Sequence, residues 1–342
     1  MATARDVARL AGVSTSTVSH VLNGTRVVSD ELRVRVTDAA RELGYEANAV
    51  ARSLKTRRSH TIALITPDIG NPFFTSVVRG VEDVIGARGF TLILGNTAED
   101  VHREEAYLRL LGAQRVDGII LVPSGERYPY LDRLMHTKTA VVMLDRIVSG
   151  PPVPAVVLDN VDAGRVATRH LLALGHRRIG LISGRPGIST SAERLAGYRM
   201  ELELSGIEFD LALVMDGQSR LEEAGRVTSL LLELPDRPTA LVVGNNLMTI
   251  GAVAAIEAHG LTIPGDVALV GFDDAIWAGV LHPRLTTIAQ PTYELGRAAA
   301  ELLMRRIAAP EVQVPLRTAM SGHLIVRESC GAAAVRGRVA LS

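Results

Sequence analysis

The strongest constraint on the fold is an alternation of short apolar runs with longer helix-like segments, which begins at residue 61. The runs form two sets of four: TIALITPD, FTLILGN, VDGIILVP and AVVMLD, then AVVLDN, RRIGLISG, ALVVGN and DVALVGFDD. Continuous apolar strands that alternate with helices are typical of parallel sheets covered on both faces. The sequence therefore predicts two α/β lobes, with helices at 73–88, 100–112, 161–174, 191–205, 219–233 and 246–259.

The length of the chain, 342 residues, exceeds that of one ordinary domain, and 47% of the residues are hydrophobic. No apolar run approaches the roughly 18 residues of a membrane helix. Arg5, Asp6 and Arg9 interrupt the stretch where a signal peptide would need an apolar run. The single cysteine, Cys330, cannot form an internal disulfide, which fits a reducing compartment. We therefore expect a soluble cytoplasmic protein of two or three domains.

Charge is unevenly distributed along the chain, although 37 Lys and Arg residues balance 37 Asp and Glu residues. Residues 1–58 contain ten basic and six acidic residues, so the remainder is correspondingly acidic. A basic segment favours association with a polyanion, because net charge acts on association more than on fold. A solvated charged face is the alternative interpretation.

The N-terminal segment has the pattern of three short helices. Thr3, Ser14 and Ser29 can each cap the start of a helix, Gly12 can end the first helix and Gly44 the third. The apolar residues that would pack between these helices are Val7, Ala8, Ala11, Val18, Val21, Leu22, Leu32, Val36, Ala39, Ala40 and Leu43. A tight turn between the first two helices indicates a helix-turn-helix unit.

The second of these helices would expose side chains that form hydrogen bonds but carry no full charge. These are Thr15, Ser16, Ser19 and His20, with Thr17 beside them. A merely solvated helix would normally present Lys, Glu or Arg, whereas short hydrogen-bonding groups suit close approach to base edges in a major groove. The alternative is a helical hairpin in an unrelated protein.

The segment DVARLAGVSTSTVSHVLNGTRVVSDELRVRVTDAARELGYEANAVARSLK resembles the DNA-binding headpiece of the lactose/galactose repressor family of bacterial transcriptional regulators. The stretch STSTVSHVLN is most similar to the purine-repressor branch, and the resemblance continues to LIVRES at 324–329. It implies base contacts from Thr15, Ser16 and His20. It also implies backbone contacts from Ser14, Thr17 and Asn23, help from Arg26 in the loop, and further DNA contacts at Tyr45, Asn48, Ala51, Arg52, Leu54 and Lys55.

The stretch YEANAVARSLKTRRS follows Gly44 and has the composition of a linker with one apolar pair, Val50 and Leu54. A helix of roughly eight residues is marginal in isolation, because nucleation is costly. We expect this segment to be disordered without a partner, and packing against the headpiece or a second subunit is the alternative. The resemblance implies a hinge helix that folds on DNA and inserts Leu54 into the minor groove. Ala47 stands where the family usually has proline.

The resemblance also implies the order of the domains and a two-lobed fold like that of periplasmic binding proteins. The expected parts are a headpiece at 1–45, a hinge helix and linker at 46–59, an effector-binding and dimerisation domain at 60–330, and a tail at 331–342. Within the third part, lobe 1 would be about 60–159 plus 290–325, and lobe 2 about 160–289. The tail has no leucine heptad, so a dimer is expected rather than a tetramer joined by a coiled coil.

Aromatic, charged and amide side chains follow several predicted strands, where ligands bind in open parallel sheets. They are Phe73 and Phe74 after the first run, Asp145 and Arg146 after the fourth, Arg194 beyond LISG, Asn245 after LVVG, and Asp273 and Asp274 after LVGF. Such a set suits a small polyol or heterocycle, which would stack on a ring and accept or donate several hydrogen bonds. Each residue alone could equally be a core residue, a helix cap or a surface ion-pair partner.

The resemblance implies that Phe73, Phe74, Asp145, Arg194, Asn245, Asp274 and Gln290 bind the effector. Ile188 stands where the purine-repressor branch has a basic residue, so a sugar or sugar derivative is expected in place of a purine. Asn246 replaces an aspartate common in the family, and because it begins a helix its role is expected to be structural.

Two other functional classes share parts of this pattern. The chain contains no GxGxxG, phosphate loop, GxSxG or HExxH motif, and its nine histidines form no helical i, i+3 or i, i+4 pair, so neither an enzyme nor a metal or other cofactor is expected. A periplasmic solute-binding protein would need a signal peptide in place of the headpiece. The favoured hypothesis is a homodimeric repressor of a palindromic operator, with an effector between the lobes that acts either as inducer or as corepressor.

Overall fold

The structure is a computed structural model that describes residues 2–23, 26, 28–45, 58–126, 129–137 and 139–332. The chain divides into two compact units, Met1–His60 and Thr61–Ser342. Among the helices described, none is both long and apolar enough to cross a membrane.

The N-terminal unit contains α1 (Ala4–Ala11), α2 (Thr15–Asn23) and α3 (Asp30–Glu42). The predicted caps are confirmed: Thr3 and the Asp6 carboxylate form a reciprocal capping box, Ser14 Oγ accepts from the Thr17 N–H at 3.1 Å, and Ser29 Oγ accepts from the Leu32 N–H at 3.4 Å. A left-handed Gly12 (φ 63°) closes α1, as glycine does at helix ends.

The core of this unit lies between the three helices. Val7, Ala8, Ala11, Val18, Val36, Ala39 and Ala40 are buried, and Val21, Leu22, Leu43 and Tyr45 pack against them. Small alanines at the crossing allow the helices to approach closely. The polar side of α2 is left at the surface of the unit.

The second unit contains two six-stranded sheets. The first consists of β1 (Thr61–Thr66), β2 (Thr91–Asn96), β3 (Gly118–Leu121), β4 (Ala140–Leu144), β5 (Ala155–Leu158) and β11 (Arg317–Met320), in the order β11-β5-β4-β3-β1-β2. The second consists of β6 (Ile179–Ser183), β7 (Val214–Asp216), β8 (Ala240–Val243), β9 (Ala268–Phe272), β10 (Thr286–Ala289) and β12 (His323–Ile325), in the order β12-β10-β9-β8-β6-β7. Every pairing is parallel except β10 with β12.

Helices cover both sheets, as the alternating pattern predicts. They are α4 (Pro72–Gly86), α5 (Val101–Gln114), α6 (Pro129–Met135), α7 (Asn160–Ala173), α8 (Ser189–Leu204), α9 (Leu221–Leu232), α10 (Asn246–Ala258) and α11 (Thr292–Ala308). Short 3-10 helices lie at Leu211–Leu213 and Ile276–Gly279. Each sheet has apolar clusters that bury its central strands almost completely.

The chain crosses between the lobes near its C-terminal end at a different point from the one expected. We expected 290–325 to complete lobe 1, but only α11 and β11 do so. β12 pairs antiparallel with β10, with Ile288 opposite Leu324, and therefore belongs to the second sheet. The crossing falls between Met320 and His323, because β11 pairs with β5 and the next strand already pairs with β10.

Candidate ligand cleft and nucleic-acid interface

The hydroxyl groups at the start of α2 form a compact polar surface. Ser14, Thr15 and Ser16 are exposed, and Thr17 and His20 are half-buried. Ser14 Oγ lies 2.7 Å from Ser16 Oγ and 2.8 Å from Thr17 Oγ1, so these hydroxyls share hydrogen bonds around the helix N-terminus. A helix N-terminus with adjacent hydroxyl groups can contact phosphate oxygens as well as base edges.

The other predicted DNA contacts are only partly described. Arg26 is exposed and Tyr45 is half-buried. The side chain of Asn23 lies outside the described part of the chain, and so do Asn48, Ala51, Arg52, Leu54 and Lys55. The hinge helix therefore stays a prediction.

A cleft with about 540 Å³ of open space, which is partly continuous with solvent, lies in the second unit and is lined by residues from both lobes. It is called the cavity below. Six of the seven predicted effector residues line it: Phe73, Phe74, Asp145, Arg194, Asn245 and Gln290. Arg146 and Asp273, which the sequence analysis placed after predicted strands, line it as well. Further lining residues that the sequence analysis did not single out include Asn71, Ser183, Thr190, Ser191 and Ser219. Many of them follow the carboxyl end of a strand, which is the one signal in the sequence that could have identified them.

Two phenylalanines begin α4 and form the aromatic part of the wall. Asn71 caps this helix, with its Oδ1 accepting from the Phe73 N–H at 3.0 Å. Phe73 and Phe74 are both largely buried, and their rings meet edge to face with centroids 4.9 Å apart. The cap therefore sets the position at which the rings enter the cavity.

Asp145 and Arg146 follow β4, where Asp145 has a left-handed backbone (φ 64°). The Arg146 guanidinium donates two hydrogen bonds of 2.8 Å to the Glu99 carboxylate and one of 3.0 Å to the Pro123 carbonyl. Burial raises the pKa of Asp145 to about 6, although Arg146 and Arg194 act in the opposite direction. A ligand that donates a hydrogen bond to Asp145 would therefore stabilise the charged form of this carboxylate.

Arg194 on α8 is buried beneath the cavity, where neutral groups accept its hydrogen bonds. Its Nε donates to Asn160 Oδ1 at 2.8 Å, its Nη1 donates to the Gly244 carbonyl, and its guanidinium lies 4.3 Å from the centre of the Phe272 ring. Burial holds the pKa of Arg194 below its ordinary value. The position of this side chain is set by α7 through Asn160 and by close packing of the two helices.

That packing depends on glycine. A Cβ on Gly164 of α7 would lie 2.5 Å from the Arg194 carbonyl oxygen, and a Cβ on Gly197 of α8 would lie 2.1 Å from the Val161 carbonyl oxygen. Both contacts are with backbone, which cannot move as a flexible side chain does. The glycine pair therefore determines how near α8 lies to α7.

Asp274 does not line the cavity, which corrects the prediction for this residue. Its carboxylate accepts from Thr287 Oγ1 at 2.7 Å and forms an ion pair with Arg327. The preceding residue, Asp273, occupies the site instead: its Oδ1 accepts from Gln290 Nε2 at 2.6 Å and its Oδ2 accepts from the Asn246 N–H at 3.2 Å. Asp273 has a left-handed backbone (φ 68°), and its side chain and that of Asp274 have different surroundings.

Asn246 is buried and begins α10, as expected. Its backbone N–H is held by Asp273, and its Nδ2 donates to Asn71 Oδ1 at 2.8 Å. Since Asn71 belongs to lobe 1 and Asn246 to lobe 2, this hydrogen bond joins the lobes beside the cavity. Arg185 makes a second connection, donating to the Glu99 carbonyl at 2.8 Å and to the Ser124 carbonyl at 3.1 Å.

Three buried polar atoms of the described cavity wall have no hydrogen-bond partner. They are Asp145 Oδ1, Gln290 Oε1 and Arg146 Nε. Buried polar groups are normally paired, so unpaired ones in a cleft indicate atoms that a ligand completes. The three comprise two acceptors and one donor.

The chain is similar to known proteins along nearly its whole length. Residues 3–48 match the family described as bacterial regulatory proteins, lacI family, and residues 168–330 match the periplasmic binding protein-like domain. The HTH-type transcriptional repressor PurR of Photobacterium profundum is 38% identical over 311 residues, which cover 90% of this chain and 92% of that protein.

Two solved structures extend the similarity to three dimensions. The complex of the transcriptional regulator CelR with cellobiose is 35% identical, with a TM-score of 0.73, and the match covers 96% of this chain and 100% of that one. The lac repressor dimer bound to operator and the anti-inducer ONPF is 28% identical, with a TM-score of 0.85, over 96% of this chain and 99% of that one.

Proposed function

The chain belongs to the lacI family of bacterial regulatory proteins, whose members are DNA-binding regulators, and we propose that it represses transcription as a homodimer on a palindromic operator under the control of a small molecule. The observation that carries this proposal is the combination, in one chain, of a capped polar helix α2 with a cleft whose buried polar atoms lack partners. The first suits base edges and the second suits a small ligand.

In the DNA-binding half, Thr15, Ser16 and His20 contact bases, while the N-terminal hydroxyls of Ser14 and Thr17 contact the backbone. Asn23 and Arg26 assist at the end of α2 and in the loop. The residues that follow, Tyr45, Asn48, Ala51, Arg52 and Lys55, add further contacts, and Leu54 enters the minor groove. Basic residues in this half account for affinity, and neutral residues of α2 account for sequence preference.

In the effector half, the cleft takes a sugar or a sugar derivative. Phe73 and Phe74 offer an apolar face, and Asp145, Arg194, Asn245 and Gln290 offer polar groups around it. The bound cellobiose of the CelR complex supports a sugar. Ile188 is buried but is not among the residues that line the cavity. The expectation of a sugar therefore rests on the side chains of the cavity wall and not on Ile188.

Regulation follows if the ligand binds two arrangements of the lobes with different affinities, because a ligand shifts an equilibrium only by its differential affinity. The contacts of Asn71 with Asn246 and of Arg185 with Glu99 would exist in one arrangement and break in the other. A ligand that favours the DNA-incompetent arrangement is an inducer, and one that favours the other is a corepressor.

The role is regulatory and not enzymatic, and the site of action is the bacterial cytoplasm, where a repressor meets chromosomal DNA. The family membership and the chemistry of the cleft support this assignment, which needs no cofactor.

The experiment that tests the function is selection of genomic DNA fragments retained by the full-length protein, followed by sequencing. We expect enrichment of a common palindrome, protection of both half-sites against nuclease, and a steep loss of affinity with added salt. Retained fragments without a shared sequence would contradict operator recognition.

The hinge is tested by amide hydrogen exchange across residues 46–57 of the full chain. We expect rapid exchange in the free protein and protection on the palindromic fragment, since folding on DNA would order this segment. Protection that is the same with and without DNA would contradict a hinge that folds on binding.

A further inference from the structure

We propose that the effector is an uncharged polyhydroxy compound, and that the cleft rejects the phosphate ester of the same compound. This inference rests on the proposed function, because it concerns the ligand of the same cleft. It is carried by the hydrogen-bonding character and the charge of the cavity wall.

The unpaired atoms determine which hydrogen-bonding groups a ligand must bring. Asp145 Oδ1 and Gln290 Oε1 are acceptors, so the ligand has to supply at least two donors. Arg146 Nε is a donor and needs one acceptor. Neighbouring hydroxyl groups on a sugar supply both, whereas a phosphate dianion placed against these two oxygens is acceptor-only and would leave both unpaired.

The orientation of Gln290 follows from its neighbour. Both carboxylate oxygens of Asp273 already accept hydrogen bonds, one from Gln290 Nε2 at 2.6 Å and one from the Asn246 N–H at 3.2 Å. An ionised carboxylate can only accept, so Gln290 must turn its NH₂ group toward Asp273. Its Oε1 is thereby directed away from Asp273 and is left without a partner, which makes Asp273 a positioning residue for this acceptor.

The charge of the wall also disfavours an anion. The cavity is lined by two carboxylates, Asp145 and Asp273, and two guanidinium groups, Arg146 and Arg194. Arg146 is in addition held by a bidentate contact with Glu99. Arg194 donates its hydrogen bonds to neutral groups, but Asp273 and Asp145 lie near enough to act on its charge. The wall therefore carries no net positive charge that would offset a buried dianion.

The outer part of the cleft is the place where an ester could still be accommodated. A second space of about 730 Å³ adjoins the cavity, and its charged lining residues are Arg146, the exposed Arg220, Asp68 and Glu99. The two carboxylates match the two arginines in number, and Glu99 already holds Arg146 through two hydrogen bonds, so a phosphate gains no uncompensated positive charge there. If an ester does bind in this second space, Arg220 is the residue expected to contact its phosphate, so the test includes a substitution of Arg220.

The test compares matched pairs of compounds by calorimetry and by the fluorescence of Trp277 in the full-length protein. The pairs are D-ribose and ribose 5-phosphate, D-glucose and glucose 6-phosphate, and D-galactose and galactose 1-phosphate, with cellobiose and hypoxanthine in addition. We expect saturable binding of at least one uncharged sugar, with an affinity at least about tenfold above that of its ester. An ester or hypoxanthine that binds as tightly as the best uncharged sugar overturns the proposal, and so does a panel in which no uncharged sugar binds.

Two adjacent isosteric substitutions provide the internal control. In Asp273→Asn the new amide can donate to Gln290 Oε1, so the Gln290 side chain can turn and present a donor to the cavity. We expect about tenfold to hundredfold weaker binding of the sugar and a smaller preference over its ester. Asp274→Asn, whose carboxylate contacts Thr287 and Arg327 outside the cavity, should change neither quantity.

If Asp273→Asn fails to fold by circular dichroism, Asp145→Asn tests the same argument at the other acceptor and should weaken sugar binding in the same way. Equal effects of Asp273→Asn and Asp274→Asn would overturn the positioning role. An ester whose binding is lost in Arg220→Gln would identify the outer space as an anion site and would also overturn the proposal.

DNA release, measured separately, distinguishes this inference from the proposed function. An uncharged sugar that binds but leaves affinity for the selected palindrome unchanged would contradict the proposed function and leave the ligand chemistry intact. An ester that binds and alters DNA affinity would contradict the ligand chemistry and leave the proposed function intact.

Discussion

At the scale of single residues, Asp145 is buried in a way that costs stability. Its pKa is raised to about 6 by burial, from an ordinary value of 3.8, so the folded state holds a proton that the unfolded state releases between these values. The free energy of unfolding should therefore fall as pH rises from about 4 to 6 and then level off. Asp145→Asn should equal the natural protein below about pH 4 and exceed its stability by about 1 to 3 kcal/mol above pH 6.

Urea unfolding across this pH range measures the free energy of unfolding and checks the expectation. Asp274→Asn is the control, and we expect it to change stability in the opposite direction. Hydrogen bonds from Arg327 and Thr287 outweigh partial burial and hold the pKa of Asp274 below its ordinary value. Removing that carboxylate should lower stability at neutral pH. An Asp145→Asn protein that is less stable than the natural one at pH 7 would show that this carboxylate is already well compensated in the fold.

The base-reading role of His20 gives a second prediction at this scale. His20→Ala should reduce affinity for the selected palindrome by about 1 to 3 kcal/mol while leaving affinity for random DNA nearly unchanged, because base contacts discriminate and phosphate contacts do not. The measurement is the ratio of the two dissociation constants at one salt concentration. His102→Ala, at an exposed position on α5, is the matched control, and an unchanged ratio for His20→Ala would exclude the role.

The two aspartates after β9 illustrate what the sequence cannot determine at this scale. The pair Asp273-Asp274 is visible in the sequence, as is its position at the end of an apolar run. Which carboxylate enters the cavity depends on where the strand ends and on the left-handed backbone at Asp273 (φ 68°). A backbone angle of this kind is set by tertiary contacts, here by the Asp273 N–H donating to the Ile288 carbonyl at 2.9 Å.

At the scale of elements, the buried strands and the six-residue edge strand β2 could be predicted, whereas three short edge strands could not. The central strands are continuous apolar runs because both of their faces are covered. The three edge strands that were missed are short and half-exposed or exposed, so their residues show no comparable apolar run. They are β7 (Val214–Asp216), β11 (Arg317–Met320) and β12 (His323–Ile325). The misplaced boundary of lobe 1 follows from this weakness, since β12 is the strand that decides it.

The contact between α7 and α8 gives a prediction at the element scale. In Gly197→Ala the new methyl group would lie 2.1 Å from the Val161 carbonyl oxygen, so the helices must separate. We expect a loss of at least about 1 to 3 kcal/mol in the free energy of unfolding, and weaker effector binding because Arg194 moves with α8. Unfolding in urea, followed by the fluorescence of the single Trp277, checks the first part.

Gly86→Ala is the matched control for this prediction. Gly86 also lies in a helix, but a Cβ there would have no heavy atom within 4 Å. Alanine favours helix over glycine, so this substitution should stabilise the protein by about 0.5 to 1 kcal/mol. Equal effects of the two substitutions would mean that helix propensity, and not the close helix contact, governs the response at Gly197.

At the scale of the whole molecule, the proposed dimer needs a surface on which two copies can meet. An apolar segment follows Asp274 in the second lobe, where Ile276 is 93% exposed and Val280 66% exposed. Clustered exposed apolar side chains of this kind mark interaction surfaces in soluble proteins. In a symmetric dimer the same residue enters the interface twice, so one substitution acts on both sides.

Ile276→Asp should therefore weaken dimerisation by about 2 to 4 kcal/mol and raise the monomer fraction in sedimentation experiments at micromolar protein. Affinity for the palindrome should fall with it, because a monomer brings one headpiece to one half-site and loses the gain from simultaneous engagement of both. Leu211→Asp is the matched control, since Leu211 is 70% exposed in the 3-10 helix Leu211–Leu213 and carries the same change of chemistry. A dimer that survives Ile276→Asp with undiminished affinity for the palindrome would place the interface on another surface of the protein.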